Sequence, residues 1–158
     1  MATQMQLARA GKITDAMKIV AAEERQTPEE IRERVAKGTV AVCANPNHAK
    51  LKPAGVGEGL KVKVNANIGT SSDFPDLAPE LLKLDEAVRC GVDAVMDLST
   101  GDRIGESRRA IIGHSPVMVG TVPIYEATVE AIKARGAVVD MKAEDLLQVI
   151  ERKTERTL

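Results

Sequence analysis

The clearest helical signal in the chain starts at Thr27. This residue supplies a capping hydroxyl, Pro28 stands at the first helical position and Glu30 at the third, and apolar residues follow at helical spacing. Gly38 stands where a left-handed cap ends a helix. The pattern predicts a helix over residues 28–37.

Three weaker signals surround this helix. Thr14 precedes an apolar stretch and is suited to cap an earlier helix. Residues 39–43 predict a short strand, whereas residues 45–59 are rich in Gly, Pro and Asn and predict a loop. We expect this loop to complete an N-terminal helical segment, residues 1–59, which precedes a second domain formed by residues 60–158.

From residue 60 onward, apolar β-branched runs alternate with helical periods, a pattern typical of parallel βα units in an α/β fold. The predicted strands are 61–68, 94–98 and 117–122, and the predicted helices are 79–90, 103–112, 126–134 and 142–156. Each strand leads into a loop rich in Gly, Ser, Thr or Pro. Ligands bind at that end of parallel βα architectures.

Three chemically distinctive side chains recur at equal spacing near these strand ends. Asn67, Met96 and Tyr125 are each 29 positions from the next, so one side chain per βα unit is expected to face a common mouth. Taken alone, the residues also fit structural roles, because Asn favours turns, Met96 lies in an apolar run and a tyrosine can pack internally.

Composition narrows the class of protein. With 44% hydrophobic and 28% charged residues and a net charge of −1, the sequence gives no sign of disorder, nucleic-acid binding or attraction to an anionic membrane. No apolar run is long enough to span a membrane, so the cytoplasm is expected. Cys43 and Cys90 are far apart in sequence, exclude a disulfide framework or zinc ribbon, and are expected to be small buried residues.

Three long motifs carry a resemblance to a known family. Residues 64–71, 95–101 and 119–125 closely resemble signature stretches of the phosphomethylpyrimidine synthase family, and they occur in the same order. Shorter matches are found at residues 3–5, 8–11, 45–48 and 143–146. The resemblance therefore covers nearly the whole chain.

The resemblance implies a fold and a reaction. Family members are (β/α)₈ barrels, so this chain is expected to hold N-terminal helices followed by three βα units of an incomplete barrel. The family reaction converts aminoimidazole ribotide to hydroxymethylpyrimidine phosphate in thiamine biosynthesis. It uses S-adenosylmethionine, a [4Fe–4S] cluster on a Cys-x-x-Cys-x-x-x-x-Cys motif, and a divalent metal such as zinc on two histidines.

Of the functional residues of the family, only those that contact the substrate have counterparts in this sequence. Asn67, Met96 and Tyr125 match family positions that contact the ribotide, whereas the cysteine motif and the metal histidines have no match. We therefore expect substrate-binding residues, no catalytic or metal-ligating residue, and no cofactor bound by this chain alone. His48 and His114 are not at matching positions and receive no role.

Two further features stay open. Asp97 fits a site carboxylate and a structural or capping carboxylate equally well. Ser99 and Thr100 have the chemistry to bind a phosphate, although such residues more often cap the following helix.

The leading hypothesis is the ribotide-positioning part of the synthase, inactive alone. A second is the paralogue that makes 5-hydroxybenzimidazole from the same ribotide, which the motifs do not separate from the first. A third, of another class, is a non-catalytic truncated protein that associates with itself or a complementary chain. Because open parallel edges are prone to association, a homo-oligomer or part of a longer chain is expected, with no nucleic-acid or membrane partner.

Overall fold

The computed structural model describes the backbone of residues 2–157 and the side chains of residues 2–152. Its helices are α1 (Gln4–Arg9), α2 (Asp15–Glu24), α3 (Pro28–Lys37), α4 (Leu77–Arg89), α5 (Ile104–His114), α6 (Pro123–Arg135) and α7 (Ala143–Thr157), with a 3₁₀ turn at Val138–Asp140. Its strands are β1 (Val40–Cys43), β2 (Ala54–Gly57), β3 (Asn65–Ile68), β4 (Ala94–Asp97) and β5 (Met118–Thr121). No described helix is long and apolar enough to cross a membrane.

The chain divides into two compact units, and the first contains residues 1–44 and 51–63. Its core joins α1, α2, α3 and β1 through seven buried residues: Ala8, Met17, Val20, Ala21, Ile31, Val35 and Val40. The predicted helix α3 is confirmed together with its caps. Thr27 and Glu30 form a reciprocal capping box, and Gly38 closes the helix with a φ of 82°.

The prediction of a continuous loop over residues 45–59 is wrong, because Ala54–Gly57 form strand β2, paired antiparallel with β1. The glycines explain both the error and the pairing. Gly57 has a φ of +146°, and a Cβ there would collide with the backbone carbonyl oxygen of Thr39. Glycine lets the backbone approach this closely while weakening the sequence signal for a strand.

The predicted strand over residues 61–68 is too long. Only Asn65–Ile68 pair with a neighbouring strand, and the Val62 side chain is 91% exposed. The preceding residues are held by a carboxylate instead: Glu24 accepts hydrogen bonds from the Lys61 backbone N–H and the Lys63 ammonium, both at 2.8 Å. Burial would raise the pKa of Glu24, but these hydrogen bonds and the positive charges of Lys63 and Lys61 together outweigh it and lower that pKa.

The second unit contains residues 45–50 and 64–158, and its sheet has the strand order β3-β4-β5 with both pairs parallel. Helices α4 and α5 cover one face. Ile68 and Val95 point to that face and pack with Leu84 of α4 and Ile111 of α5 in a buried cluster. The mixed α/β class and the alternation of strand and helix are confirmed. Division into domains at residue 59 stays a prediction.

The expectation that both cysteines are buried is wrong. Cys90 is exposed at the end of α4, and Cys43 is half-buried in β1, where burial raises the pKa of its thiol. Cys90 sits where α4 gives way to a turn, with Gly91 following at a φ of +85°.

Candidate functional site at the strand ends of the parallel sheet

Within the second unit, helices α4 and α5 pack on the same face of the parallel sheet. Successive side chains of a strand point to opposite faces. Since Ile68 and Val95 point to the α4–α5 face, Asn67 and Met96 belong to the other, which we call the open face. Asn67 is exposed and Met96 is half-buried.

Asn67 and Met96 are direct neighbours on this face. The register pairs Asn67 of β3 with Met96 of β4, and Met96 in turn with Gly120 of β5. The equal spacing in the sequence therefore corresponds to a real row across the first two strands. An amide and a thioether stand side by side next to a position without a side chain.

Gly120 leaves room for the methionine. A Cβ at position 120 would lie 2.8 Å from Met96 Sδ and 2.9 Å from its Cε, closer than real Cβ atoms come to other atoms. The Met96 side chain therefore extends over β5 along the open face. The pairing of Gly120 with Met96 thus accounts for the glycine by close packing.

A second asparagine orients the first. Asn65 lies two residues before Asn67 on the same face, and its Nδ2 donates to Asn67 Oδ1 at 3.0 Å. This bond uses one of the two lone pairs of the Asn67 oxygen and leaves the Asn67 Nδ2 hydrogens for other partners. The sequence prediction missed Asn65, although its spacing of two residues in a strand was the signal that could have found it.

Tyr125 lies on a different element from the other two predicted residues. It stands in the first turn of α6, four residues after β5 ends, and its side chain is 39% exposed. The predicted helix over residues 126–134 begins earlier, because Pro123 at the first helical position starts it. Tyr125 thus follows the strand end as expected, but Gly120 is the β5 member of the row that contains Asn67 and Met96.

Beyond the row, the loops after β3 and β4 are joined by buried polar groups. Asp97 Oδ1 accepts from the Ser99 backbone N–H at 3.0 Å and from the Ser99 hydroxyl at 2.5 Å. The Ser99 hydroxyl in turn accepts from the Thr70 backbone N–H at 3.0 Å. All three residues are at most 4% exposed. Asp97 thus has a structural role in these loops.

Ser99 does not cap the helix that follows it. Helix α5 begins at Ile104, its N-cap residue is Arg103, and no side chain makes a capping hydrogen bond there. The hydroxyl of Ser99 both donates and accepts within the loops. The capping expectation for Ser99 is therefore wrong, and the reason is its distance from the start of α5.

The two histidines have structural partners. His48 is 6% exposed, and its Nε2 lies 2.7 Å from the backbone carbonyl oxygen of Ser115, so Nε2 carries the donated proton. His114 Nε2 lies 2.7 Å from Asp85 Oδ1 near the surface. Neither histidine belongs to the row on the open face.

A cavity of about 200 Å³ lies between the start of α5 and one side of α6. Its charged lining is neutralised by ion pairs, Asp102 with Lys133 at 2.8 Å, Glu126 with Arg108 at 2.7 Å, and Glu130 with Arg152 at 2.7 Å. The hydrogen bond from Lys133 lowers the pKa of Asp102. Each charged residue that lines the cavity therefore has an ion-pair partner of opposite charge.

The fold and this row define a parallel βα protein with a polar site on the open face of its sheet. A family model, the radical SAM ThiC family, matches residues 3–158, and the chain belongs to that family.

Curated relatives agree with this membership. The chain is 54% identical over 153 residues to the phosphomethylpyrimidine synthase of Moorella thermoacetica, covering 97% of this chain. It is 54% identical over 150 residues to the enzyme of the same name from Desulforamulus reducens and 51% identical to that from Carboxydothermus hydrogenoformans, in each case over 95% of this chain. The chain spans about 35% of the length of these relatives.

Full-length radical SAM enzymes use S-adenosylmethionine and an iron–sulfur cluster, and such clusters are held by several cysteine thiolates. Among the described residues, no group of three or more His, Cys, Asp or Glu side chains is arranged to hold a metal ion. The exposed Cys90 thiol lies 3.8 Å from Glu86 Oε1. The residues that the structure describes do not fit the cluster.

Proposed function

We propose that this chain forms the substrate-positioning part of a phosphomethylpyrimidine synthase, with Asn67, Met96 and Tyr125 contacting aminoimidazole ribotide. The complete enzyme would convert the ribotide to hydroxymethylpyrimidine phosphate, with S-adenosylmethionine, a [4Fe–4S] cluster and a divalent metal such as zinc. The observation that carries the proposal is the Asn67–Met96 pair on the open face. Membership in the family and the names of the relatives support the reaction and favour it over the benzimidazole-forming alternative.

The chemistry of the pair suits a flat, polar heterocycle. With its oxygen already bonded to Asn65, Asn67 offers amide hydrogens to a ring nitrogen or a ribose oxygen. Met96 offers a polarizable thioether that adapts to a ring face, and Tyr125 would add an aromatic face with a polar tip. These residues bind and orient, and bond making would depend on groups outside this set.

The proposed architecture is that of a (β/α)₈ barrel. Three parallel strands with α4 and α5 on one face and polar side chains on the other are the arrangement of barrel units, whose inward-facing residues line the interior. The exposed edges of β3 and β5 would then pair with further strands or with another chain. We propose the cytoplasm as its compartment and an assembly larger than the isolated chain. A monomer by light scattering would contradict that assembly.

The direct test is titration of the chain with aminoimidazole ribotide, followed by NMR of the Asn67 side-chain amide and the Met96 methyl group. Because only part of a pocket is provided, we expect a Kd in the millimolar range, about −4 kcal/mol. Asn67→Ala, which lacks the amide itself, should abolish the shift of the Met96 methyl group, whereas Asn47→Ala, at an exposed asparagine in the 45–50 loop, should keep both shifts. Unchanged spectra at saturating ribotide would refute the proposal, and equal shifts with ribose 5-phosphate would refute recognition of the imidazole.

A further inference from the structure

The buried residues Thr70, Asp97 and Ser99, which we call the strand-end clamp, form a relay between the loops after β3 and β4. The carboxylate of Asp97 accepts from the Ser99 hydroxyl, and that hydroxyl accepts from the Thr70 backbone N–H. The hydroxyl thus donates to Asp97 and accepts from Thr70, so its hydrogen points toward the carboxylate. A charged acceptor makes such bonds stronger than neutral ones, so the hydroxyl has one favoured rotamer.

Main-chain bonds on both sides extend the clamp. The Leu98 N–H donates to the Ile68 carbonyl at 2.8 Å, and the Thr100 N–H donates to the Thr70 carbonyl at 2.8 Å. Gly69 lies between these bonds, and its N–H donates to the buried carboxylate of Glu80 at 2.7 Å. The end of β3 is therefore fixed against the end of β4 by several hydrogen bonds, of which those of the clamp are buried.

The clamp adjoins the residues of the proposed site. Asp97 directly follows Met96 in β4, and Thr70 comes three residues after Asn67. A shift of one loop against the other would move the amide relative to the thioether, because both are carried on the strand ends that the clamp joins. Hydrogen bonds in a buried network resist such a shift more than exposed ones do.

We infer that Asp97 and Ser99 are positioning residues that hold Asn67 and Met96 at the separation required for ribotide binding. They act through the strand ends and make no contact with the ligand. For the ligand, this inference rests on the proposed function, but the fixed separation is a property of the free chain.

Ser99→Ala removes the central hydroxyl and is the decisive variant. Asp97→Asn keeps an oxygen that accepts from Ser99 and serves as the conservative variant. Ile111→Val removes one methyl group from the core beneath the sheet and is the matched control for stability. If Ser99→Ala does not fold, Ser99→Cys, with a weaker donor and acceptor in a similar shape, replaces it.

Spectra without ligand test the clamp first. Ser99→Ala should shift the Asn67 side-chain amide and the Met96 methyl resonance, whereas Ile111→Val at similar stability should leave both in place. Ribotide titration then should give an affinity about tenfold weaker for Ser99→Ala, within about threefold of wild type for Asp97→Asn, and unchanged for Ile111→Val.

The outcomes separate the two proposals. Unmoved Asn67 and Met96 resonances in Ser99→Ala, or shifts no larger than those of Ile111→Val, overturn the clamp as a positioning device. An unchanged affinity in a Ser99→Ala chain that binds ribotide overturns it as well. If the wild-type chain shows no response to ribotide, the proposed function fails, while the ligand-free spectra still decide the clamp.

Discussion

Gly69→Ala is the substitution whose cost the structure specifies most fully. Gly69 has a φ of +150°, and a Cβ there would lie 2.6 Å from the Ser99 backbone nitrogen and 2.7 Å from the Leu98 carbonyl carbon. These are main-chain atoms of the neighbouring strand end, so no rotamer change relieves the overlap. The new methyl group must displace one loop from the other.

The cost has two parts. A non-glycine residue in so sparsely populated a backbone region costs about 1–3 kcal/mol, and forcing a methyl group into a closely packed site costs about 1–3 kcal/mol more. We expect Gly69→Ala to lower the free energy of unfolding by about 2–6 kcal/mol. Gly91 provides the matched control, because it has a φ of +85° and no atom within 4 Å of its Cβ position. Gly91→Ala should incur only the conformational cost.

Urea unfolding followed by far-ultraviolet circular dichroism measures both variants, which lie in the same compact unit. The difference between the two losses isolates the close approach of Gly69 to the β4 loop. If Gly69→Ala and Gly91→Ala lose the same stability, the loops are not in contact as described, and the strand-end clamp loses its geometric basis.

Three further substitutions test separate features. Gly120→Ala meets only the flexible end of Met96, so it should cost no more than about 1 kcal/mol while moving the Met96 methyl resonance; an unmoved resonance would contradict the packing. Glu24→Gln should destabilise the chain at pH 7. The difference from wild type in urea unfolding should vanish as the pH falls through the lowered pKa of Glu24, because a depressed carboxyl pKa stabilises the fold only above that pKa. A difference that persists at low pH would show another cause. His48→Ala should cost about 1–3 kcal/mol in thermal unfolding by leaving the Ser115 carbonyl without its donor, and an equal loss in His48→Gln, which keeps a donor, would assign the effect to packing.

Elements with local signals can be predicted from the sequence alone. Capping at Thr27, the glycine end at Gly38 and the alternation of strand and helix beyond residue 60 follow from short-range rules, and the structure agrees with them. The three motifs identified the family, which the family model and relatives bear out. The spacing of 29 residues matches the register between Asn67 and Met96 but not that between β4 and β5, where Met96 pairs with Gly120 and Tyr125 lies beyond the strand.

The tertiary structure decided everything that depended on contacts between distant segments. Strand β2 was missed because its glycines weaken strand propensity, while the pairing with β1 needs the close approach they permit. The first residues of the predicted strand over 61–68 bond to Glu24 in place of a neighbouring strand. No local pattern encodes either partner.

The same division applies to the candidate site. Sequence patterns and the resemblance singled out Asn67, Met96 and Tyr125, but left Asp97 undecided between two roles. Asp97 bonds Ser99 only two residues further along the same segment, whereas the bond from the Thr70 N–H to the Ser99 hydroxyl forms only because two loops meet at the sheet edge. Residue types and spacing thus predict which side chains contact a ligand. The hydrogen bonds that position those side chains form only when the chain is folded.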